Sequence, residues 1–207
     1  MKKEYIDIYY DHYKDTFERI SQEKAIRDKY FIYMLLLSIL ILLSVYLPNV
    51  IGTLVSGLLK EKTGSSKSID YNWIKSIIIF AFIWVSFAYF RSCLNIERLY
   101  KYIHKVESEL TKRMGSLEIT RESTNYLYSY PIVLSFIYRI YNFLIPLSVI
   151  VLFIVLWSND NIKPLKQWEI TNYIDTISEF TIITASILFF LRQNIPDKIK
   201  KKFMKKS

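Results

Sequence analysis

The sequence predicts an all-α polytopic membrane protein: four transmembrane helices, with a cytoplasmic helical extension of the second span. Three observations carry this expectation. Apolar residues make up 52% of the 207-residue chain and are gathered into segments rather than spread evenly. Four of those segments are long enough for a helix to cross the roughly 30 Å hydrocarbon core of a bilayer. Lys and Arg are distributed asymmetrically. Seven fall in residues 1–29, seven in 91–131 and seven in 192–207, against five in the two remaining connections.

Residues 1–29 read as a cytoplasmic amphipathic helix. Tyr5, Tyr9, Tyr13, Phe17 and Ile20 form a stripe at helical spacing, with charged residues over much of the rest. The segment holds seven basic and seven acidic residues. A helix lying on an anionic membrane is normally basic on its polar face. The expectation is therefore that Tyr9, Tyr13 and Phe17 dock on protein, with a helix on the inner leaflet as the alternative. Residues 1–29 carry charge throughout and show no signal-peptide pattern, so the spans themselves are expected to direct insertion.

Residues 30–47 form the first span, without a charge. Pro48 is expected to end or kink it. Residues 49–59 follow, with Asn49 as a plausible N-cap. Their apolar face is Val50, Ile51, Leu54, Val55, Leu58 and Leu59, opposite Gly52, Thr53, Ser56 and Gly57. One helix from 30 to 59 would measure about 45 Å, too long for one crossing. An interfacial helix is the first reading; a kinked continuation or a re-entrant piece is the alternative.

Residues 73–90 make the second span. No Pro or Gly interrupts the chain until Gly115, so the helix is expected to continue as a cytoplasmic rod within residues 91–130. Leu99, Ile103, Val106 and Leu110 repeat at helical spacing and offer the face on which the N-terminal helix docks. Tyr126, Tyr128 and Tyr130 suggest a membrane-interface aromatic cluster. Residues 132–157 hold the third span, kinked at Pro146 and carrying Arg139 and Asn142 in its first half. Residues 173–191 are the fourth span, and 192–207 a basic cytoplasmic tail.

The charge asymmetry places both termini and the 91–131 segment in the cytoplasm. Trp73, Trp157 and Trp168 all fall at the opposite interface, where indoles prefer to sit. Lys198, Lys200, Lys201, Lys202, Lys205 and Lys206 follow a span directly. They are expected to bind anionic inner-leaflet lipid, with nucleic acid as the weaker alternative.

Ionisable residues within spans carry the functional question. Lys75 enters the second span, and Asp175 and Glu179 lie one turn apart on one face of the fourth. They are expected either to pair, Lys75 with Glu179 or Asp175, or to line a cation-attracting mouth built by several subunits. Arg139 is expected to snorkel to inner-leaflet phosphate, or to serve a pore with Asn142. No glycine-rich phosphate loop, HExxH or GxSxG is present, and the chain has four glycines and one cysteine, Cys93. The expectation is a non-enzymatic protein with no cofactor and no metal site.

The Ile-, Lys-, Asn- and Tyr-rich composition points to an AT-rich bacterial genome and a bacterial inner membrane. In overall plan the chain is similar to small multi-span components of bacterial stress and phage-defence systems. The four-span plan with its cytoplasmic helical projection leads to the expectation of an oligomeric membrane sensor or effector with a cytoplasmic protein partner. A small oligomeric channel and a transporter subunit are the other readings.

Overall fold

The computed structural model describes residues 2–63, 71–114, 136, 139–160 and 168–194. Of these, 98% are helical and none is in a strand. The elements are α1 (Lys2–Tyr46), α2 (Pro48–Thr63), α3 (Tyr71–Met114), α4 (Ile145–Asp160) and α5 (Ile170–Asn194). The expected aromatic cluster at 126–130 and the tail lysines Lys198, Lys200, Lys201, Lys202, Lys205 and Lys206 lie outside the described residues.

Four helical stretches are long and apolar enough to cross a membrane: Asp7–Tyr46, Tyr71–Lys112, Ile140–Asn159 and Ile170–Arg192. Their outward faces are apolar. Ile77, Phe80 and Trp84 are 65%, 65% and 71% exposed on α3, and Ile177 and Phe180 are 68% and 71% exposed on α5. Rows of this size are untenable in water but suit lipid, where a helix satisfies its own backbone polar groups. The fold is that of a membrane protein.

Three local features depart from the sequence expectation or add to it. The N-terminal amphipathic helix and the first span are one 45-residue helix, α1. No Pro or Gly separates the charged half from the apolar half, so the backbone has no reason to break at Lys29. Second, α2 starts at Pro48 rather than after Asn49. The Leu47 carbonyl accepts from Val50 N at 3.1 Å and Ile51 N at 3.3 Å, so Leu47 is the cap. Pro48 takes the first helical position, where its fixed φ fits and a missing N–H costs nothing. Third, Pro146 is preceded by a turn of π-helix, Ile140–Leu144. A proline cannot bond the carbonyl four residues back and crowds it; widening the preceding turn relieves that conflict.

The chain forms two compact units: Met1–Phe31 with Ala88–Ile140, and Ile32–Phe87 with Tyr141–Ser207. In the first, α1 buries Thr16 and Ile20, and α3 buries Tyr89, Phe90, Cys93, Ile96, Ile103, Val106 and Leu110. Tyr9 and Tyr13 are half-buried, as is Leu99, whereas Phe17 is 37% exposed. The inward line of α1 therefore runs through Thr16, and Phe17 sits at its edge. In the second unit α4 packs on α5. Buried residues recur at Ile145, Val149, Phe153 and Leu156 on α4, and at Thr171, Asp175, Glu179, Ile182, Ser186 and Phe189 on α5. Phe82 of α3 meets Phe153 of α4 at 5.1 Å between ring centroids, and Phe143 meets Phe190 at 4.8 Å.

Candidate functional site

The buried face of α5 is polar over its first three turns. Thr171, Asp175 and Glu179 recur every four residues, which stacks them on one face. They are 3%, 4% and 0% exposed. Facing them in the same unit is the start of α3, where Lys75 and Ser76 are buried. Lys75 Nζ lies 3.5 Å from Asp175 Oδ2, and the side chains are only 10% and 5% exposed. The buried pair is thus Lys75 with Asp175, and Glu179 lies a further turn, about 6 Å, along the helix.

The ends of the two helices are held in register by polar contacts that sequence reading missed. Asn72 Nδ2 donates to Glu169 Oε2 at 3.1 Å. Glu169 caps α5: its carbonyl accepts from Asn172 N at 3.0 Å, and its own N–H donates to Asn172 Oδ1 at 3.1 Å. Asn172 thus supplies the back-bond half of a capping box, with Asn in the position usually held by Glu or Gln, while the Glu169 carboxylate turns to Asn72 instead of the Asn172 N–H. It starts α5 at Ile170, three residues before the expected Tyr173. The hydroxyl of Tyr71 donates to the Ser44 carbonyl on α1. Trp168 stands edge-on to Tyr173 at 5.0 Å.

Serines complete the polar seam at little cost. Ser76, Ser86 and Ser44 donate to carbonyls of their own helices, on Asn72, Phe82 and Ile41, at 3.0, 2.8 and 2.7 Å. Chemically the seam offers one ammonium and two carboxylates in a surround of aliphatic and aromatic side chains. Such a group can hold a cation or pass a proton, and it can lock two helices together while its charges are paired. Arg139 is exposed and Asn142 half-buried.

The first unit carries a second polar cluster. Glu23 accepts from Ser92 Oγ at 3.0 Å and from Asn95 Nδ2 at 3.2 Å. Lys24 Nζ donates to Tyr100 Oη at 2.8 Å and lies 5.3 Å from that ring's centroid. These charge-assisted bonds fix α1 against α3. The i, i+4 apolar pattern could not reveal them, because Glu23, Ser92 and Asn95 read as solvent-facing residues. His12 is exposed, and His104 packs against Tyr100 of its own helix at 6.2 Å. Among the described residues no three His, Cys, Asp or Glu side chains converge as metal ligands.

No protein-family model, curated protein or solved structure matches the chain significantly.

Proposed function

We propose that the chain is a non-enzymatic sensor or effector of a bacterial inner membrane, of the kind that serves stress or phage-defence systems. It assembles with copies of itself and couples an intramembrane event to a cytoplasmic partner. The observation that carries this reading is the continuity of α3. One uninterrupted 44-residue helix bears Lys75 near its start and the Ile103, Val106 and Leu110 packing face near its end. A change in the Lys75–Asp175 pair therefore acts on the same helix that carries the cytoplasmic packing face. The concentration of Lys and Arg in residues 1–29, 91–131 and 192–207 favours a cytoplasmic side for both termini and for the end of α3.

A second reading, a small oligomeric cation channel, is favoured by the complete burial of Glu179 on the same face as Asp175. One set of proteins separates the two. In a Cys93→Ser background, Ser108→Cys reports on the end of α3 through its rate of maleimide labelling. The coupling reading expects Asp175→Asn to change that rate several-fold, with no ion flux from wild-type protein in vesicles. Unchanged labelling, together with cation flux that Glu179→Gln removes, would transfer the assignment to the channel.

A further inference from the structure

The two helices of the first unit carry opposite charges on their outward sides. On α1, Asp7, Asp11, Asp15 and Glu18 are all exposed and recur at spacings of four, four and three. At 100° per residue they form one row on the side away from buried Thr16 and Ile20. On α3, Arg91, Arg98, Lys105 and Lys112 are exposed and stand seven residues apart, with exposed Lys101 between the second and third. They lie on the side away from buried Ile103, Val106 and Leu110. Lys14 and Arg19 flank the acidic row. Within the basic row Lys101 meets Glu97 at 2.6 Å and Lys112 meets Glu109 at 3.4 Å, yet the lysines stay 61% and 70% exposed.

The rows also match in level. The helices run antiparallel: Arg27 and Asp28 lie within electrostatic reach of Cys93, Glu23 bonds Ser92 and Asn95, and Lys24 bonds Tyr100. Each step toward the start of α1 is thus a step toward the end of α3. Counting from Glu23 at about 1.5 Å per residue on both helices, Glu18 falls level with Arg98, Asp15 with Lys101 and Asp11 with Lys105, while Asp7 falls level with Leu110, between Lys105 and Lys112. Identical copies inserted in the same orientation stand at the same height in a membrane. The acidic row of one copy then meets the basic row of the next without any vertical shift.

We infer that a second copy of this chain is the occupant of these rows. The acidic face of α1 docks on the basic face of α3 in the neighbouring copy. The two faces are different and lie on opposite sides of the helix pair, so the contact is heterologous and repeats from copy to copy until a ring closes. This rests on the self-association proposed above and gives it a surface.

The test uses full-length protein in membranes. Single-cysteine chains carrying Asp11→Cys or Lys105→Cys, each in a Cys93→Ser background, are co-expressed. The expected result is a disulfide-linked dimer of the two kinds in at least tenfold excess over dimers of either kind alone. The triple change Asp11→Lys, Asp15→Lys, Glu18→Lys is expected to reduce the wild-type oligomer to monomer. So is Arg98→Glu, Lys101→Glu, Lys105→Glu. Mixing the two triple variants, or combining all six changes in one chain, restores assembly. Oligomer mass unaffected by both triple variants, with no mixed cross-link, overturns this interface but leaves self-association standing. A wild-type monomer overturns both. The cross-link removes one charge from each row and reverses none, so it decides the matter even if a reversed chain fails to fold. A chain ending at residue 197 is expected to cross-link normally; loss of the cross-link there would assign the acidic row to the lysine tail instead.

Discussion

Lys75 and Asp175 form an ion pair at 3.5 Å, with side chains 10% and 5% exposed, between α3 and α5. Removing one partner of such a pair leaves an isolated buried charge, which costs about 3–5 kcal/mol, whereas replacing both by apolar residues is often neutral. Lys75→Met alone is therefore expected to lower the melting temperature in detergent sharply. Lys75→Met with Asp175→Leu should recover part of that loss, the remainder being set by Glu179, which stays buried on the same face. A double variant as unstable as the single one would show that the seam is held by something other than this pair.

Ser186 tests the cost of polarity deeper in α5. Its side chain is fully buried, and its Oγ finds no hydrogen-bond partner among the described residues. An unsatisfied buried hydroxyl costs on the order of 1–3 kcal/mol. Ser186→Ala is expected to hold or raise stability, by up to about 1 kcal/mol given the small void it leaves. A clear loss of thermal stability would mean that the hydroxyl is engaged.

The α1–α3 packing is best probed by contrast. Ile103 and Leu110 are 0% exposed, and Phe17 is 37% exposed. Truncating a buried Ile or Leu to Ala costs about 2–5 kcal/mol, so Ile103→Ala should make residues 1–31 sensitive to protease. Phe17→Ser should cost less than about 1 kcal/mol and leave the digestion pattern nearly unchanged. Equal sensitivity in the two variants would move Phe17 into the packed line.

Orientation is tested by fusion. Reporters placed after residues 115 and 207 are expected to register cytoplasm, and those after 66 and 162 the opposite side. An external signal at 115 would remove α3's second half from the cytoplasm and the proposed partner with it.

The four long apolar helices were legible in the sequence because hydrophobic segments of span length admit few other structures. The face of α3 that carries Ile103, Val106 and Leu110 was legible for a similar reason, since burial follows the helical period. What escaped was set by side-chain reach. Whether Lys75 meets Asp175 or Glu179 depends on one helical turn of relative axial shift. That shift is fixed by Asn72 and the Glu169–Asn172 cap, which carry no periodic signal. The continuity of α1 across Lys29 was missed because a change in composition was read as a boundary, while the backbone breaks only where a residue forces it. The tilt from Phe17 to Thr16 arose in the same way: Thr16 donates to the His12 carbonyl at 2.6 Å and so enters the packed line as an apolar methyl.

The corner at Leu47 bears on where α2 can reside. Leu47 N–H is taken by the Leu43 carbonyl at 2.8 Å, Val50 and Ile51 share the Leu47 carbonyl, and Pro48 has no N–H to satisfy. These bonds account for the junction amides other than that of Asn49. The passage takes a single residue, Leu47, between the end of α1 and the start of α2. In deuterium oxide, the amides of Leu47, Val50 and Ile51 would exchange as slowly as those of a helix interior, so the helix junction need not mark the waterline of the bilayer.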